Sequence, residues 1–178
     1  MIYYTFFAML VLVINFSNLS NYYKCIGICF LALLISFLRF DVGVDYPVHL
    51  DKFEIINGLK EVYYQDVSGV AFYSLSKLYF TIFGEHGGVF LLSSIALINI
   101  ILLFLILKNL NYSLNFINIF IFFPHFFLQS LNLIRQYTAI LLCWLFIAYL
   151  INNRKKIYLL ILSILCHYSA LVFLPFYF

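Results

Sequence analysis

One polar stretch interrupts an otherwise lipid-soluble sequence, and that contrast leaves the chain few folds. The stretch reads RFDVGVDYPVHLDKFEIINGLKE, Arg39 to Glu61. It holds Asp41, Asp45, Asp51, Glu54 and Glu61, and Asp66 follows just beyond, so only Glu85 among the acids lies elsewhere. On both sides the sequence is almost continuous Ile, Leu, Phe and Tyr. Charges placed in hydrocarbon cost several kcal/mol each, so a membrane protein gives such a segment to water or lines a cavity with it.

Composition carries the same reading. The 178 residues are 66% hydrophobic and 10% charged, and mean hydropathy is +1.06. A soluble domain has no use for so much apolar surface. The runs are continuous rather than alternating, which favours transmembrane helices over a transmembrane barrel. The expected fold is all-α: one integral membrane domain over 1–178, about six spans, plus one or two amphipathic interfacial helices. A net charge of +3, scattered and without a basic stripe, excludes nucleic acid as a partner. Cys25, Cys29, Cys143 and Cys166 all lie inside apolar runs. They read as packing residues, and no metal or cofactor site is expected. The run 1–16 lacks a leading Lys or Arg and a small-residue cleavage site, so it reads as a retained first span.

A span needs about 20 apolar residues. The candidates are 1–16, 22–39, 88–107, 112–128, 134–152 and 157–178. A further helix, 68–83, has Ser74, Lys77 and Thr81 at helical spacing, a polar stripe that suits an interfacial or cavity-lining helix. If 68–83 does not cross, Lys24, Lys108 and Arg154–Lys155–Lys156 all fall on one side, as the positive-inside rule prefers. The external segment 40–66 and the 128–135 connection then lie outside. The sequence ends on LVFLPFYF, inside an apolar run. It therefore reads as the front part of a longer membrane protein, or as a truncated gene product.

This layout collects the unusual polar residues at the outer end: Arg39, the acidic segment, His125, Gln129, Asn132, Arg135 and Gln136. In DYPVHLDKF, Asp45 is a good helix cap and Pro47 suits a first turn. Tyr46, Leu50 and Phe53 would form an apolar face, with Asp45, His49 and Lys52 opposite and Gly58 ending the helix. Capping and a chemical role for Asp45 are compatible. Arg39, at a span end, reads equally well as a snorkelling residue. Arg135 opens a span on the side that disfavours cations, flanked by amides, which calls for an anionic partner. His167, about 11 residues from the basic loop, falls near mid-membrane at ~1.5 Å per residue, one turn beyond Ser163 on the same face. Intramembrane histidines are more often functional than not. Glu85 and His86 read as a solvated turn.

Three landmarks in this order carry a resemblance. They are R-x-D-V-G-x-D-Y with an amphipathic run to Phe53 (Arg39 to Phe53), I-R-Q before a span (Ile134, Arg135, Gln136), and H-x-S-A-L with a later Leu-Pro (His167, Ser169, Ala170, Leu171, Leu174, Pro175). Together they resemble the EpsG-type family of bacterial polysaccharide polymerases, related in role to the Wzy polymerases. The resemblance runs from about Arg39 to Pro175. It implies a multi-pass enzyme of the bacterial plasma membrane that joins oligosaccharide repeat units carried on undecaprenyl pyrophosphate. The product would be capsular, exo- or O-antigen polysaccharide, made on the outer face beside membrane lipids, chain-length regulator and flippase proteins. The implied site has Asp45 or His167 as base, with Arg39, Asp41, Tyr46, Arg135 and Gln136 binding substrate. The competing reading is a non-enzymatic glycolipid transporter or scaffold of the export machinery, or an inactive remnant.

Overall fold

The computed structural model describes residues 2–38, 45–60, 70–113, 116–117 and 134–177. Every regular element among them is helical. In chain order they are α1 (Ile2–Phe16), α2 (Asn21–Leu38), α3 (Asp45–Ile56), α4 (Val70–Phe83), a short 3-10 turn at Gly84–His86, α5 (Gly87–Asn109), α6 (Ile134–Ile151) and α7 (Ile157–Cys166). A 3-10 segment, Tyr168–Tyr177, follows. The boundaries of α1, α2, α5 and α6 track the apolar runs closely. Of the expected span 112–128, most lies outside the described residues.

α5 is the central strut. Its 23 residues carry buried side chains all round, from Gly87 to Leu107. α6 runs parallel to it. Thr138 Oγ1 donates to Asn99 Oδ1 at 2.9 Å in the buried seam, and further along Asn152 Nδ2 donates to the Asn109 carbonyl at 2.6 Å. α7 turns back antiparallel to α6, and Cys143 Sγ donates to Ser163 Oγ at 3.2 Å between them. α1 and α2 pack on the other flank through Phe7, Ala8, Val11, Ile28 and Ala32, against Ala96, Ile100, Phe104 and Leu107 of α5.

Three helices end the same way. After α3, α5 and α6 the chain enters a left-handed residue: Gly58 at φ 75°, Asn111 at φ 56° and Asn153 at φ 56°. In each case the next N–H reaches back to a carbonyl of the last turn: Leu59 to Glu54, Tyr112 to Leu107 and Arg154 to Tyr149, all at 2.9 Å. These are Schellman closures, which satisfy carbonyls a helix end would otherwise leave open. Gly58 ends α3 as the sequence implies.

α4 does not run the length of the bundle. It folds back antiparallel along the first turns of α5, so Phe72 joins Leu91, Leu92 and Ile95 in one apolar cluster. At the apex, Phe83 stacks on Phe90 with centroids 4.5 Å apart. Ser74, Lys77 and Thr81 are all exposed, as their spacing implies. α3 packs into the same cluster through Tyr46 and Phe53. There is no room for a side chain at that joint. A Cβ on Gly87 would stand 2.7 Å from the Tyr79 carbonyl oxygen and 2.8 Å from Phe53 Cζ.

By length and composition one helix among the described residues is long and apolar enough to cross a membrane: the 23-residue α5, within the helical stretch Val70–Asn109. The apolar helices in α1, α2, α6 and α7 are shorter. Two expectations need correction. The run 157–178 is not one helix: α7 stops at Cys166, and His167 is extended, at φ −156° and ψ 126°. The Ser169 hydroxyl and N–H both engage the His167 ring, a local arrangement that competes with helix continuation. His167 and Ser163 therefore do not share a helical face. The second correction concerns His49, which is buried rather than on the polar face of α3. Positions 46, 49, 50 and 53 recur at helical spacing, and burying Tyr46 and Phe53 carries His49 inward with them.

Candidate functional site

The antiparallel return of α7 brings the chain back to where α6 began. His167 thus arrives beside the first turn of α6, 31 residues earlier. Gln136 Nε2 and His167 Nε2 are 3.3 Å apart. On the other side of the ring, His167 Nδ1 lies 2.7 Å from Ser169 Oγ, and the Ser169 N–H donates to the same nitrogen at 3.3 Å. Both ring nitrogens are engaged: the Ser169 N–H makes Nδ1 an acceptor, which leaves the proton of the neutral ring on Nε2, facing the Gln136 amide. The ring of Tyr168 stacks on that of His167 at 4.9 Å.

Arg135 completes the group. Its guanidinium carbon stands 5.7 Å over the Phe72 ring, and its charge bears on His167. A ring face attracts the guanidinium without using its N–H donors. Among the described residues no carboxylate pairs with it. Phe72 in turn packs against His49 of α3, with centroids 5.7 Å apart. A chain of contacts therefore runs from α3 through α4 to the start of α6 and the break after α7. The group is accessible: Gln136 and Ser169 are exposed, and Arg135 and His167 are half-buried. It lies at the opposite end of α6 from the Asn109–Asn152 bond.

The structure thus joins three of the expected site residues, Arg135, Gln136 and His167. Tyr46 is 5% exposed in the α3–α4–α5 cluster. Asp45 opens α3, and its side chain lies outside what is described, as do Arg39, Asp41, His125, Gln129 and Asn132. Two acids of the polar segment have a local partner. Lys60 pairs with Asp51, and with Glu54 at 3.0 Å. Hydrogen bonds to these two carboxylates hold the exposed Lys60 above its ordinary pKa.

Two participants had little or no signal in the sequence. Phe72, the seat of Arg135, is one of 22 phenylalanines, and nothing local distinguishes it. Ser169 was legible only as a landmark two residues after a histidine, not as a ring partner.

An all-helical, strongly apolar bundle with polar groups gathered at its two ends is the architecture of a helical membrane protein. A sequence profile of the EpsG family matches residues 21–178. The chain belongs to that family, and membership associates it with the membrane and with exopolysaccharide polymerisation. No curated protein and no solved structure matches the chain.

Proposed function

We propose that the protein is a Wzy-like polymerase of the plasma membrane, joining undecaprenyl-pyrophosphate-linked oligosaccharide units on the outer face. One observation carries the site assignment: Arg135, Gln136, His167 and Ser169 meet at one end of the bundle, opposite the end that carries Lys108 and Arg154. By the positive-inside rule the latter end is cytoplasmic, so the former is external.

The chemistry asks for three things. The growing chain must leave its lipid pyrophosphate, so the anomeric C–O bond breaks as negative charge builds on the departing phosphate. The Arg135 fork is suited to that charge, with Arg39 as its expected companion. The acceptor hydroxyl attacks the same carbon and gives up its proton, for which His167 or Asp45 is the base. The Gln136 amide and the Ser169 hydroxyl orient the imidazole. Both lipid-linked substrates must also be held side by side, which membrane confinement and the accessible cluster assist.

The test is Arg135→Lys beside Arg135→Ala in cells whose polymer depends on this gene. Lysine keeps the charge but not the planar fork. Both variants should lose polymer and accumulate single repeat units on lipid, with the protein still present in the membrane. Normal polymer from both would remove the site and favour a transporter or scaffold role.

A further inference from the structure

The opposite end of the bundle holds a cavity of about 470 Å³, lined by Leu105, Lys108, Asn109, Tyr149, Asn152 and Arg154 among others. It opens where α5 and α6 terminate side by side. Two features make it receptive to an anion. First, the helix-end carbonyls that would repel one are engaged: the two Schellman closures take those of Leu107 and Tyr149, and Asn152 Nδ2 takes that of Asn109. Second, among the described residues no carboxylate pairs with Lys108 or Arg154. All seven acids lie between Asp41 and Glu85, so the chain carries none from His86 to its last residue.

The approach to the cavity is amphiphilic. Ile98, Ile101 and Leu105 of α5 are 43%, 41% and 36% exposed. With the exposed Lys108 they fall at i, i+3, i+7 and i+10, a single exposed apolar track that ends in a cation. Lys156 lies outside the cavity, held between the rings of Tyr149 and Tyr158 at 5.5 and 5.6 Å. Tyrosines and lysines so placed mark the interfacial level of a bilayer.

We propose that this cavity binds a phosphate group through Lys108 and Arg154, with the acyl chain of an anionic phospholipid lying along Ile98, Ile101 and Leu105. The site is separate from the polymerase reading and stands or falls without it. Basic clefts between helix ends at the cytoplasmic level recruit anionic head groups through the same chemistry.

Thermal unfolding of the detergent-solubilised protein tests it, with phosphatidylglycerol, phosphatidylcholine or inorganic phosphate added in turn. Phosphatidylglycerol should raise Tm saturably and phosphatidylcholine should not. In the Lys108→Gln/Arg154→Gln double variant the apparent affinity should fall at least about tenfold. Lys155→Gln/Lys156→Gln, with the same loss of charge outside the cavity, should keep the wild-type response. Should the pocket double variant fail to fold, Arg154→Gln alone, beyond the helix end, makes the same comparison. A rise with inorganic phosphate, lost in the pocket variant, assigns the free anion as the source. A rise with phosphatidylglycerol alone assigns the lipid. Equal shifts from the two lipids, or equal losses in the two double variants, overturn the proposal.

Discussion

The Arg135 guanidinium rests over the ring of Phe72, 5.7 Å from its centroid, so a residue of α4 sets where the first turn of α6 presents its charge. Phe72 is itself 3% exposed. A leucine there would fill most of the volume but offer no ring face. Phe72→Leu should therefore lower polymer yield several-fold while the protein level in the membrane holds. Unchanged yield would mean that the ring merely packs.

The His167 ring has two partners, and they should not matter equally. Ser169→Ala removes the hydroxyl at 2.7 Å but keeps the backbone N–H on the same nitrogen. Polymerisation should fall by about tenfold or less, whereas His167→Ala should fall by two orders of magnitude or more if the imidazole moves the proton. Comparable rates in cell-free polymerisation by the two variants would argue against His167 as base.

Asp45→Asn separates capping from chemistry, because asparagine caps a helix about as well as aspartate. Normal protein level with polymer lost would assign Asp45 a role in binding or proton transfer. Normal polymer would leave it as the start of α3 and nothing more.

Topology is open to direct labelling. In a variant with Cys25, Cys29, Cys143 and Cys166 replaced, a cysteine at Asn57 should react with an impermeant thiol reagent in intact cells. One at Asn153 should react only after permeabilisation. The reverse pattern would place the Arg135–His167 cluster in the cytoplasm and refute the external polymerase.

The α3–α4–α5 joint makes a stability prediction. A methyl group at Gly87 would stand 2.7 Å from the Tyr79 carbonyl oxygen, and backbone does not yield cheaply. Gly87→Ala should destabilise the protein by about 1–3 kcal/mol, measured as a lower thermal midpoint in detergent. An unchanged midpoint would show that α4 shifts freely on α5.

Much of this fold was legible because apolar run length and cap chemistry act locally. α2, α5 and α6 begin and end close to where the runs do, and Gly58 terminates α3 as a glycine with positive φ should. Ser74, Lys77 and Thr81, whose spacing set them on one stripe, are indeed exposed on α4. What failed was decided by tertiary context. His49 looked polar on a helical wheel, yet its neighbours Tyr46 and Phe53 bury it. The 157–178 run has no glycine or proline near 167 to announce the break after Cys166; there the imidazole's bonds to Ser169 accompany the departure from the helix. The pairing of Arg135 with Phe72 links positions 63 residues apart, beyond the reach of any local pattern. Gln136 and His167 were each singled out, but only the return of α7 along α6 brings them together.

The acid-free stretch after Glu85 also has an electrical consequence. Lys108, Arg154, Lys155 and Lys156 lie in it without a single carboxylate. In the proposed orientation these four cations face the negative interior of an energised cell. Turning the molecule over would drag them outward against the membrane voltage, at roughly 2.3 kcal/mol per charge per 100 mV, or about 9 kcal/mol for these four at 100 mV. The resting potential therefore acts as a continuous restoring force on the protein's orientation, and it would weaken in cells whose proton gradient has been dissipated.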